Sequence, residues 1–262
     1  MTYLESILLG FIQGATEFLP VSSSGHLVIG QALLGVRVQG VLFEVAVHLA
    51  TLVSILMVYR ARVGRLLRGV VAGERDALTY AGLVVVATLP AGVLGVFAKD
   101  AIEGLFDNAW APGVALLVTG SFLWSSRGVA ARARAERPTW LAALLIGLAQ
   151  AVALVPGISR SGATVVAALW LGVEAREAAA FSFLMAVPAV AGAAVLQLPD
   201  LAGDGASGLL PSVVLAGSVV AGMTGVLAIR AFNAMLARRS FHFFAPYCWA
   251  VGFLYLAYLA VR

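Results

Sequence analysis

The sequence predicts an all-α integral membrane protein with an inverted-topology repeat, in which each half is a re-entrant helical hairpin followed by three transmembrane helices. Three observations lead to this prediction: an excess of apolar residues, two similar polar interruptions of apolar regions, and an uneven distribution of arginine. Of the 262 residues, 61% are hydrophobic and 11% are charged, against about 25% charged in a typical soluble domain. The excess runs along the whole chain, which excludes both a soluble enzyme with one anchor and a disordered chain.

Six apolar runs of spanning length predict the transmembrane helices. They cover 42–59, 78–97, 111–126, 178–197, 212–231 and 242–261. A helix that crosses a hydrocarbon core about 30 Å thick needs roughly 20 residues. Two further apolar regions, 5–36 and 139–172, are interrupted by the polar segments 20–26 and 156–162. The arms of the first region have about 12–15 residues each and are too short to cross, so each region is predicted to be a re-entrant hairpin.

The two interrupted regions resemble each other at a constant offset of 137 residues. The residues of the first region that recur in the second are Gly10, Gln13, Ser22, Ser24, Gly25, Val28, Leu34 and Gly35. The chain is therefore predicted to be a single membrane domain, 1–262, with repeat one at about 5–126 and repeat two at about 139–261. A hairpin followed by three crossings places the second half on the opposite face, which is an inverted repeat.

The basic residues predict the orientation. If loop 60–76 lies inside, loops 127–137, 174–177 and 230–240 also lie inside, and together they hold 13 of the 17 basic residues. The positive-inside rule then places both termini outside, with the first hairpin entering from outside and the second from inside. We therefore interpret the arginine-rich loops as topology signals and expect no nucleic-acid partner. The single cysteine, Cys248, excludes an internal disulfide and a cysteine-based metal cluster.

Polar residues concentrate at the two interruptions, where the hairpins are predicted to lie at mid-depth. They are Gln13, Glu17, Ser22, Ser23, Ser24 and His26 in the first region, and Ser159, Arg160, Ser161 and Thr164 in the second. Ionisable groups at bilayer depth are costly and mark functional sites by default. The two tips of an inverted repeat meet near the midplane, so Glu17, His26 and Arg160 are expected to share one polar pocket.

The first interruption offers a carboxylate and a potential nucleophile. Gln13 and Glu17 are spaced i, i+4 and so project from one helix face. Ser23 and His26 can approach each other if the second half-helix starts near Ser24, since serine is a favoured N-cap. A serine beside a histidine is the minimal activated nucleophile.

The second interruption offers an anion site. Arg160 carries a planar, permanently charged fork suited to phosphate oxygens. Backbone N–H groups at the start of the predicted 163–172 half-helix would add further donors. Carboxylate, histidine, serine and arginine together suit phosphoryl transfer in a substrate whose tail stays in the lipid.

Each of these residues also has a structural interpretation. Ser22, Ser24 and Ser161 could be small residues that let membrane helices pack closely. Glu17 and Arg160 could form a buried structural ion pair without a catalytic role.

His48 lies in the middle of the first predicted span, and we interpret it as a packed residue or as a support for the site. The alternative class of function is transport. Inverted repeats with broken helices are the architecture of many secondary transporters, so a transporter or flippase for a phosphate-bearing lipid or anion stays open.

At these interruptions the sequence resembles the undecaprenyl-diphosphate phosphatase family, also called the bacitracin-resistance family. Segment 13–26, QGATEFLPVSSSGH, matches the family's (Glu/Gln)-x-x-x-Glu motif and the serine-rich segment that follows it. Segment 156–164, PGISRSGAT, matches the family's Pro-Gly-x-Ser-Arg-Ser-x-x-Thr motif. Weaker similarity at 43–52, 89–92 and 181–188 extends the resemblance over essentially the whole chain. Two positions depart from the pattern: Gln13 stands where many members have glutamate, and Ala50 where glycine is expected.

The resemblance implies a multi-pass enzyme of the bacterial plasma (inner) membrane that hydrolyses undecaprenyl diphosphate to undecaprenyl phosphate and phosphate. This reaction recycles the lipid carrier of cell-wall peptidoglycan synthesis, and an abundant enzyme confers bacitracin resistance. The family also implies a divalent cation, Mg²⁺ or Ca²⁺, as cofactor. Its motif roles fall on Gln13, Glu17, Ser23, His26, Ser159, Arg160 and Thr164.

The resulting hypothesis is a pocket that faces the periplasm. Its diphosphate-binding residues are predicted to be Arg160, Ser159, Ser161 and Thr164, and its metal ligands Glu17 with Gln13. The predicted partners are the polyprenyl diphosphate lipid and the membrane, and a homodimer is left open.

The catalytic residues are predicted to be Ser23, His26 and Glu17. Ser23 would attack the terminal phosphorus with His26 as base. Attack by His26 itself, or by water that Glu17 activates, stays open.

Overall fold

The computed structural model describes residues 1–35, 42–129, 132–197, 209–238 and 240–261. The helices of these residues are numbered here in chain order. They are α1 (Tyr3–Phe18), α2 (Ser23–Leu34), α3 (Leu42–Val58), α4 (Arg60–Val71), α5 (Arg75–Phe97), α6 (Lys99–Asp107), α7 (Ala111–Ser125), α8 (Trp140–Val152), α9 (Arg160–Trp170), α10 (Ala175–Leu196), α11 (Pro211–Ala237) and α12 (Phe244–Val261). Short 3₁₀ turns, Ser126–Gly128 and Phe241–Phe243, follow α7 and precede α12.

All six predicted spans are helical, but their lengths differ. The helices α5, α10, α11 and α12, the last with its preceding turn, are long and apolar enough to cross a membrane. The predicted spans at 42–59 and 111–126 are shorter, because α3 has 17 residues and α7 has 15. The all-α, multi-pass membrane fold class is therefore confirmed, while α3 and α7 alone are short for a full crossing.

The expected loop 60–76 is wrong as a description of local structure, because most of it is the helix α4. The chain bends by 81° between α3 and α4. Apolar residues recur through α4 at helical spacing between the arginines, and this amphipathic pattern forms a helix with one apolar face. A second amphipathic helix, α6, follows α5 and was also not predicted.

Each interrupted region folds as two short helices joined by a tight break. In the first region α1 and α2 pack together, and a Cβ added at Gly30 would lie 3.1 Å from Ile12 Cδ1. In the second region α8 and α9 pack in the same way. The predicted helix starts were late: α2 begins at Ser23, and α9 begins at Arg160 instead of 163. In both cases an earlier serine caps the helix, which adds helical residues to its start.

The first helix of each hairpin packs against a long helix of the other half. Helix α1 lies along α11, and α8 lies along α5. The contacts are backbone to backbone: a Cβ added at Gly10 would overlap Gly217 O, and one at Gly147 would lie 2.5 Å from Ala87 O. Gly10 and Gly147 are a pair at the 137-residue offset, and small residues allow such close approach between membrane helices.

The arginine-rich loops meet at one end of the molecule. Arg62 of α4 donates to Glu177 at the start of α10, with Nη1 2.8 Å from Oε1. Arg137 Nη1 lies 3.1 Å from Asp76 Oδ1 at the start of α5. The segments predicted to share one face therefore do contact each other. Three basic residues of the topology argument lie outside the described residues: Arg37, Arg239 and Arg262.

An aromatic cluster fills the core next to the end of α1. Phe18 meets Phe183 edge to face with ring centroids 5.5 Å apart, and Phe183 meets Phe232 at 5.1 Å. All three rings are fully buried. Edge-to-face pairs add about 0.5–1.5 kcal/mol each beyond area burial, so this cluster gives Glu17, the residue before Phe18, a rigid support.

Candidate active site

The breaks of the two hairpins lie against each other. A Cβ added at Gly25 would be 3.1 Å from Gly157 Cα, and one at Gly162 would be 3.3 Å from Pro20 Cβ. The Ser161 hydroxyl donates to the Leu19 carbonyl across the contact, at 3.2 Å. The prediction that the two polar tips meet is therefore confirmed.

The first break is a tight turn followed by a strained cap. The Val21 amide donates to the Leu19 carbonyl at 2.8 Å, which closes a three-residue turn around Pro20. Ser22 then caps α2, with its hydroxyl accepting from the Gly25 amide at 3.3 Å. Its φ of +67° is the one positive φ of a non-glycine residue in the described ranges, a conformation that costs about 1–3 kcal/mol.

The second break is held by a threonine from α7. Thr119 Oγ1 donates to the Gly157 carbonyl at 2.9 Å and accepts from the Ser159 amide at 3.1 Å. Gly157 has a φ of +99° and lies against the Pro112 carbonyl, so a side chain there would clash. Ser159 caps α9 by accepting from the Gly162 amide at 3.1 Å.

Glu17 is the centre of the polar cluster between the breaks. Its Oε1 accepts from Arg160 Nη2 at 2.7 Å. Its Oε2 accepts from Ser23 Oγ at 2.6 Å and from Gln13 Nε2 at 3.0 Å. Glu17 is 9% exposed and Gln13 is fully buried. The structure thus brings together a carboxylate and a hydroxyl from the first hairpin with a guanidinium from the second.

Two polar atoms of this cluster are buried without a hydrogen-bond partner within the described part of the chain: Arg160 Nη1 and Gln13 Oε1. An unpaired buried polar atom costs about 1–3 kcal/mol. Natural proteins keep such atoms chiefly where a ligand, ion or water pairs with them. One is a cationic donor and the other a neutral oxygen acceptor, so the cluster can receive an anion and a hard cation side by side.

His48 belongs to this cluster, although the sequence indicated only a packed or supporting residue. Its Nδ1 donates to the Glu44 carbonyl at 2.7 Å, and its Nε2 lies 3.9 Å from Glu17 Oε2. The side chain is one-third exposed. Its position on α3 adds a fourth helix to the cluster, after α1, α2 and α9. The signal that could have found it is the polar pair Glu44 and His48, spaced i, i+4 in an otherwise apolar span.

Ser23 and His26 do not form the predicted pair. Ser23 donates to Glu17, while His26 Nδ1 lies 2.8 Å from the Ser22 carbonyl and its Nε2 lies 2.8 Å from the Tyr247 hydroxyl. The reason is that Ser22, not Ser24, caps the helix, which turns the two side chains toward different neighbours. Tyr247 of α12 was not singled out in the sequence, where it follows Pro246 without a polar pattern around it.

The hydroxyls of the second hairpin that were predicted to bind the diphosphate are engaged within the protein. Besides its contact with Leu19, Ser161 lies 3.2 Å from the hydroxyl of the cap Ser159. Thr164 donates to the Arg160 carbonyl at 2.8 Å and lies 2.6 Å from the Ser182 hydroxyl. These bonds fix the first turn of α9 and thereby the position of Arg160, and a role in binding substrate stays a prediction.

Comparison with known proteins gives one family over nearly the full chain. The sequence model described as bacitracin resistance protein BacA matches residues 6–254. The chain is similar to the undecaprenyl-diphosphatase of Rubrobacter xylanophilus, with 41% identity over 268 residues and 98% of each chain covered. It is 40% identical over 263 residues to the undecaprenyl-diphosphatase of Syntrophotalea carbinolica, covering 98% of this chain and 99% of the relative. It is 38% identical over 271 residues to that of Desulforapulum autotrophicum, covering 97% of both.

Proposed function

The chain belongs to the bacitracin resistance protein BacA family, and we propose that the Glu17–Arg160 cluster is where it hydrolyses its substrate. The protein is an undecaprenyl-diphosphatase: it cleaves the anhydride of undecaprenyl diphosphate with one water, giving undecaprenyl phosphate and phosphate. The relatives' names support this enzyme over the transport alternative. The observation that carries the placement is the cluster in which Arg160, with an unpaired buried donor, meets the hydrogen-bonded carboxylate of Glu17 and the hydroxyl of Ser23.

Arg160 is proposed to hold the diphosphate. Glu17 fixes one arm of the guanidinium through Nη2, and the other nitrogen, Nη1, is unpaired and buried. A guanidinium clamped in this way presents donors in a fixed plane, which matches phosphate oxygens better than a flexible ammonium does. Stabilising charge that develops on the transferring phosphoryl group is the main part of such catalysis.

Ser23 is proposed to be the nucleophile, with Glu17 accepting its proton. The 2.6 Å bond from Ser23 Oγ to Glu17 Oε2 already aligns the proton for transfer. Attack by Ser23 Oγ on the terminal phosphorus would form a phosphoserine and release undecaprenyl phosphate, and water would then release phosphate from the serine. The geometry favours Glu17 over His26 as base, because His26 is bonded elsewhere. Water activated by Glu17 is the competing route, and loss of Ser23 distinguishes the two.

The family's divalent cation fits the residues around Glu17. Gln13 Oε1 is a buried oxygen without a partner beside the carboxylate, and carboxylate and amide oxygens are ligands that Mg²⁺ and Ca²⁺ prefer. We propose that Glu17 and Gln13 hold this cation. When bound, it would neutralise part of the diphosphate charge. Glutamine contributes no charge, so this site is expected to be weaker than one with two carboxylates.

The inverted topology and the periplasm-facing pocket in the bacterial inner membrane are part of the proposal. Helix α1 of the first half packs against α11 of the second, and α8 of the second half packs against α5 of the first. A two-fold axis between the repeats requires this pair of equivalent contacts. The gathering of the arginine-rich loops at one end supports a cytoplasmic face there, with both termini on the other side.

Phosphate release from undecaprenyl diphosphate by detergent-purified protein tests the proposed function. The wild type should release phosphate with Mg²⁺ or Ca²⁺, release little after chelation, and lose activity in Arg160→Ala. The matched control is Arg65→Ala, which removes an exposed arginine of α4 and should leave the rate unchanged. Folded wild type that binds the lipid without releasing phosphate would overturn the enzymatic function and favour transport.

A further inference from the structure

His26 is fixed at both ring nitrogens. Nδ1 lies 2.8 Å from the Ser22 carbonyl oxygen, and Nε2 lies 2.8 Å from the Tyr247 hydroxyl. The planes of the His26 and Tyr247 rings differ by only 8°. Tyr247 belongs to α12, so this contact ties the last helix of the chain to the first hairpin.

The chemistry of the two partners sets the tautomer. A carbonyl oxygen can only accept, so Nδ1 carries the hydrogen and donates it to Ser22. In the neutral ring Nε2 is then the acceptor, and the Tyr247 hydroxyl must donate to it. Since Nδ1 and Nε2 are both occupied by protein groups, His26 has no ring nitrogen directed at a substrate in this arrangement.

The carbonyl that His26 holds belongs to the strained residue of the first break. Ser22 has its φ at +67°, and its carbonyl accepts from both the His26 backbone amide, at 3.2 Å, and the ring. The next residue is Ser23, whose hydroxyl bonds to Glu17. A strained conformation persists only where surrounding contacts over-determine it. On the carbonyl side of Ser22, the two hydrogen bonds from His26 hold this conformation in place.

We propose that Tyr247 is a positioning residue of the reaction: acting through the His26 ring, it holds the Ser22 carbonyl and so directs the Ser23 hydroxyl at Glu17. The inference rests on the proposed function of the Glu17–Arg160 cluster. It assigns His26 to the support of the nucleophile instead of to proton transfer. Tyr247 touches neither the carboxylate nor the guanidinium, so its effect passes entirely through His26.

Steady-state kinetics of Tyr247→Phe test this proposal, with Tyr255→Phe as the matched control. Tyr255 lies two turns further along α12 and contacts Gly113 of α7 instead of the site. Loss of the hydroxyl at Tyr247 should lower kcat roughly tenfold, the equivalent of about one hydrogen bond. Because substrate contacts are kept, KM should change by less than about twofold. The melting temperature should match that of the control.

A variant of His26 separates positioning from mere packing. Asparagine at this position keeps a donor near the place of Nδ1 and removes Nε2, so His26→Asn should retain part of the activity. If Tyr247 acts through His26, adding Tyr247→Phe to His26→Asn should change kcat no further. An equal loss of kcat in both backgrounds, or a Tyr247→Phe enzyme as fast as the control, would overturn the inference while wild-type hydrolysis upholds the proposed function. Absence of hydrolysis in folded wild type would instead remove the proposed function itself.

Discussion

At the break between α1 and α2 the cap Ser22 accepts from the Gly25 amide, and its hydroxyl lies 3.3 Å from that of Ser24. At the break between α8 and α9, Ser159 accepts from Gly162, and its hydroxyl lies 3.2 Å from that of Ser161. Each pair of equivalent residues is separated by 137 positions. The same side-chain hydrogen bond therefore caps the second helix of both hairpins, although φ is +67° at Ser22 and −74° at Ser159.

The side chains around these equal caps differ in charge. Glu17, Ser23 and His26 of the first break correspond at the same offset to leucine, arginine and alanine in the second: Leu154, Arg160 and Ala163. The repeated serines and glycines cap the helices at the breaks, and the unrepeated Glu17, Ser23 and Arg160 carry the charge and the hydroxyl of the proposed chemistry. One hairpin supplies the carboxylate and hydroxyl, the other supplies the cation, and neither alone forms the site.

The largest effect is expected when Arg160, the cation of the second break, is replaced by lysine, which keeps the positive charge. Arg160→Lys should lower kcat/KM by about 10²- to 10³-fold, because an ammonium cannot both pair with Glu17 and present a second planar donor. Phosphate release measures this, with Arg65→Lys on exposed α4 as the control. Near-normal turnover of Arg160→Lys would show that only the positive charge of Arg160 matters and not its planar set of donors.

The hydroxyl of the first break is expected to matter next. Ser23→Ala should lower kcat about 10²- to 10³-fold if Ser23 is the nucleophile. Ser24→Ala, which loses only a contact with the cap, should be close to wild type. Rapid-quench analysis with ³²P-labelled substrate should show labelled wild-type protein and unlabelled Ser23→Ala. Full activity of Ser23→Ala would leave water activated by Glu17 as the route.

Helix α1 packs against α11 through Gly10, and α8 packs against α5 through Gly147. Substitution of either glycine by alanine should therefore destabilise the protein to the same extent. Alanine at either position meets backbone and should lower the free energy of unfolding by about 2–3 kcal/mol. Gly64 on α4 has open space around it, so Gly64→Ala should be neutral or slightly stabilising. Thermal unfolding in detergent compares the three variants. If alanine lowered the free energy of unfolding at one glycine and not at the other, the two helix contacts would not be equivalent.

The smallest expected effect is a change in cation affinity that separates Gln13 from its equivalent in the second half, Gln150. Gln13→Glu adds a charge beside Glu17 and should strengthen Mg²⁺ or Ca²⁺ binding roughly tenfold, as each added carboxylate strengthens a hard-cation site. Gln150 is buried with both amide atoms unpaired among the described residues, so Gln150→Glu should leave cation affinity unchanged. Isothermal titration with the purified proteins measures both. Equal cation affinity in wild type and Gln13→Glu would remove Gln13 from the metal site.

Much of the fold could be predicted because membrane insertion constrains sequence strongly. The six helical regions, the two broken hairpins and the meeting of their tips follow from apolar length and from the repeat. Helix α4 does not follow from apolar length, because its arginines indicate a loop although its apolar residues keep helical spacing.

At the candidate site, the sequence predicted that Glu17 and Arg160 lie together but not which neighbours the surrounding side chains contact. The prediction found Glu17 and Arg160 because ionisable groups at depth are rare. It paired Ser23 with His26 by sequence distance, whereas a two-residue shift of the cap and a tyrosine 221 residues away decide where the imidazole points. Such long-range contacts leave no periodic signal in a single sequence.

A double-mutant cycle of Glu17 and Arg160 tests most directly that the two breaks form one site. Phosphate release and thermal unfolding would be measured for Glu17→Gln, Arg160→Gln and the double variant. If the pair acts as a unit, each single change should abolish most activity and the double should be no slower than the slower single. The double should also be more stable than either single, since no buried charge is left unpaired. Additive losses of activity would contradict the account and would leave two independent residues that merely lie side by side.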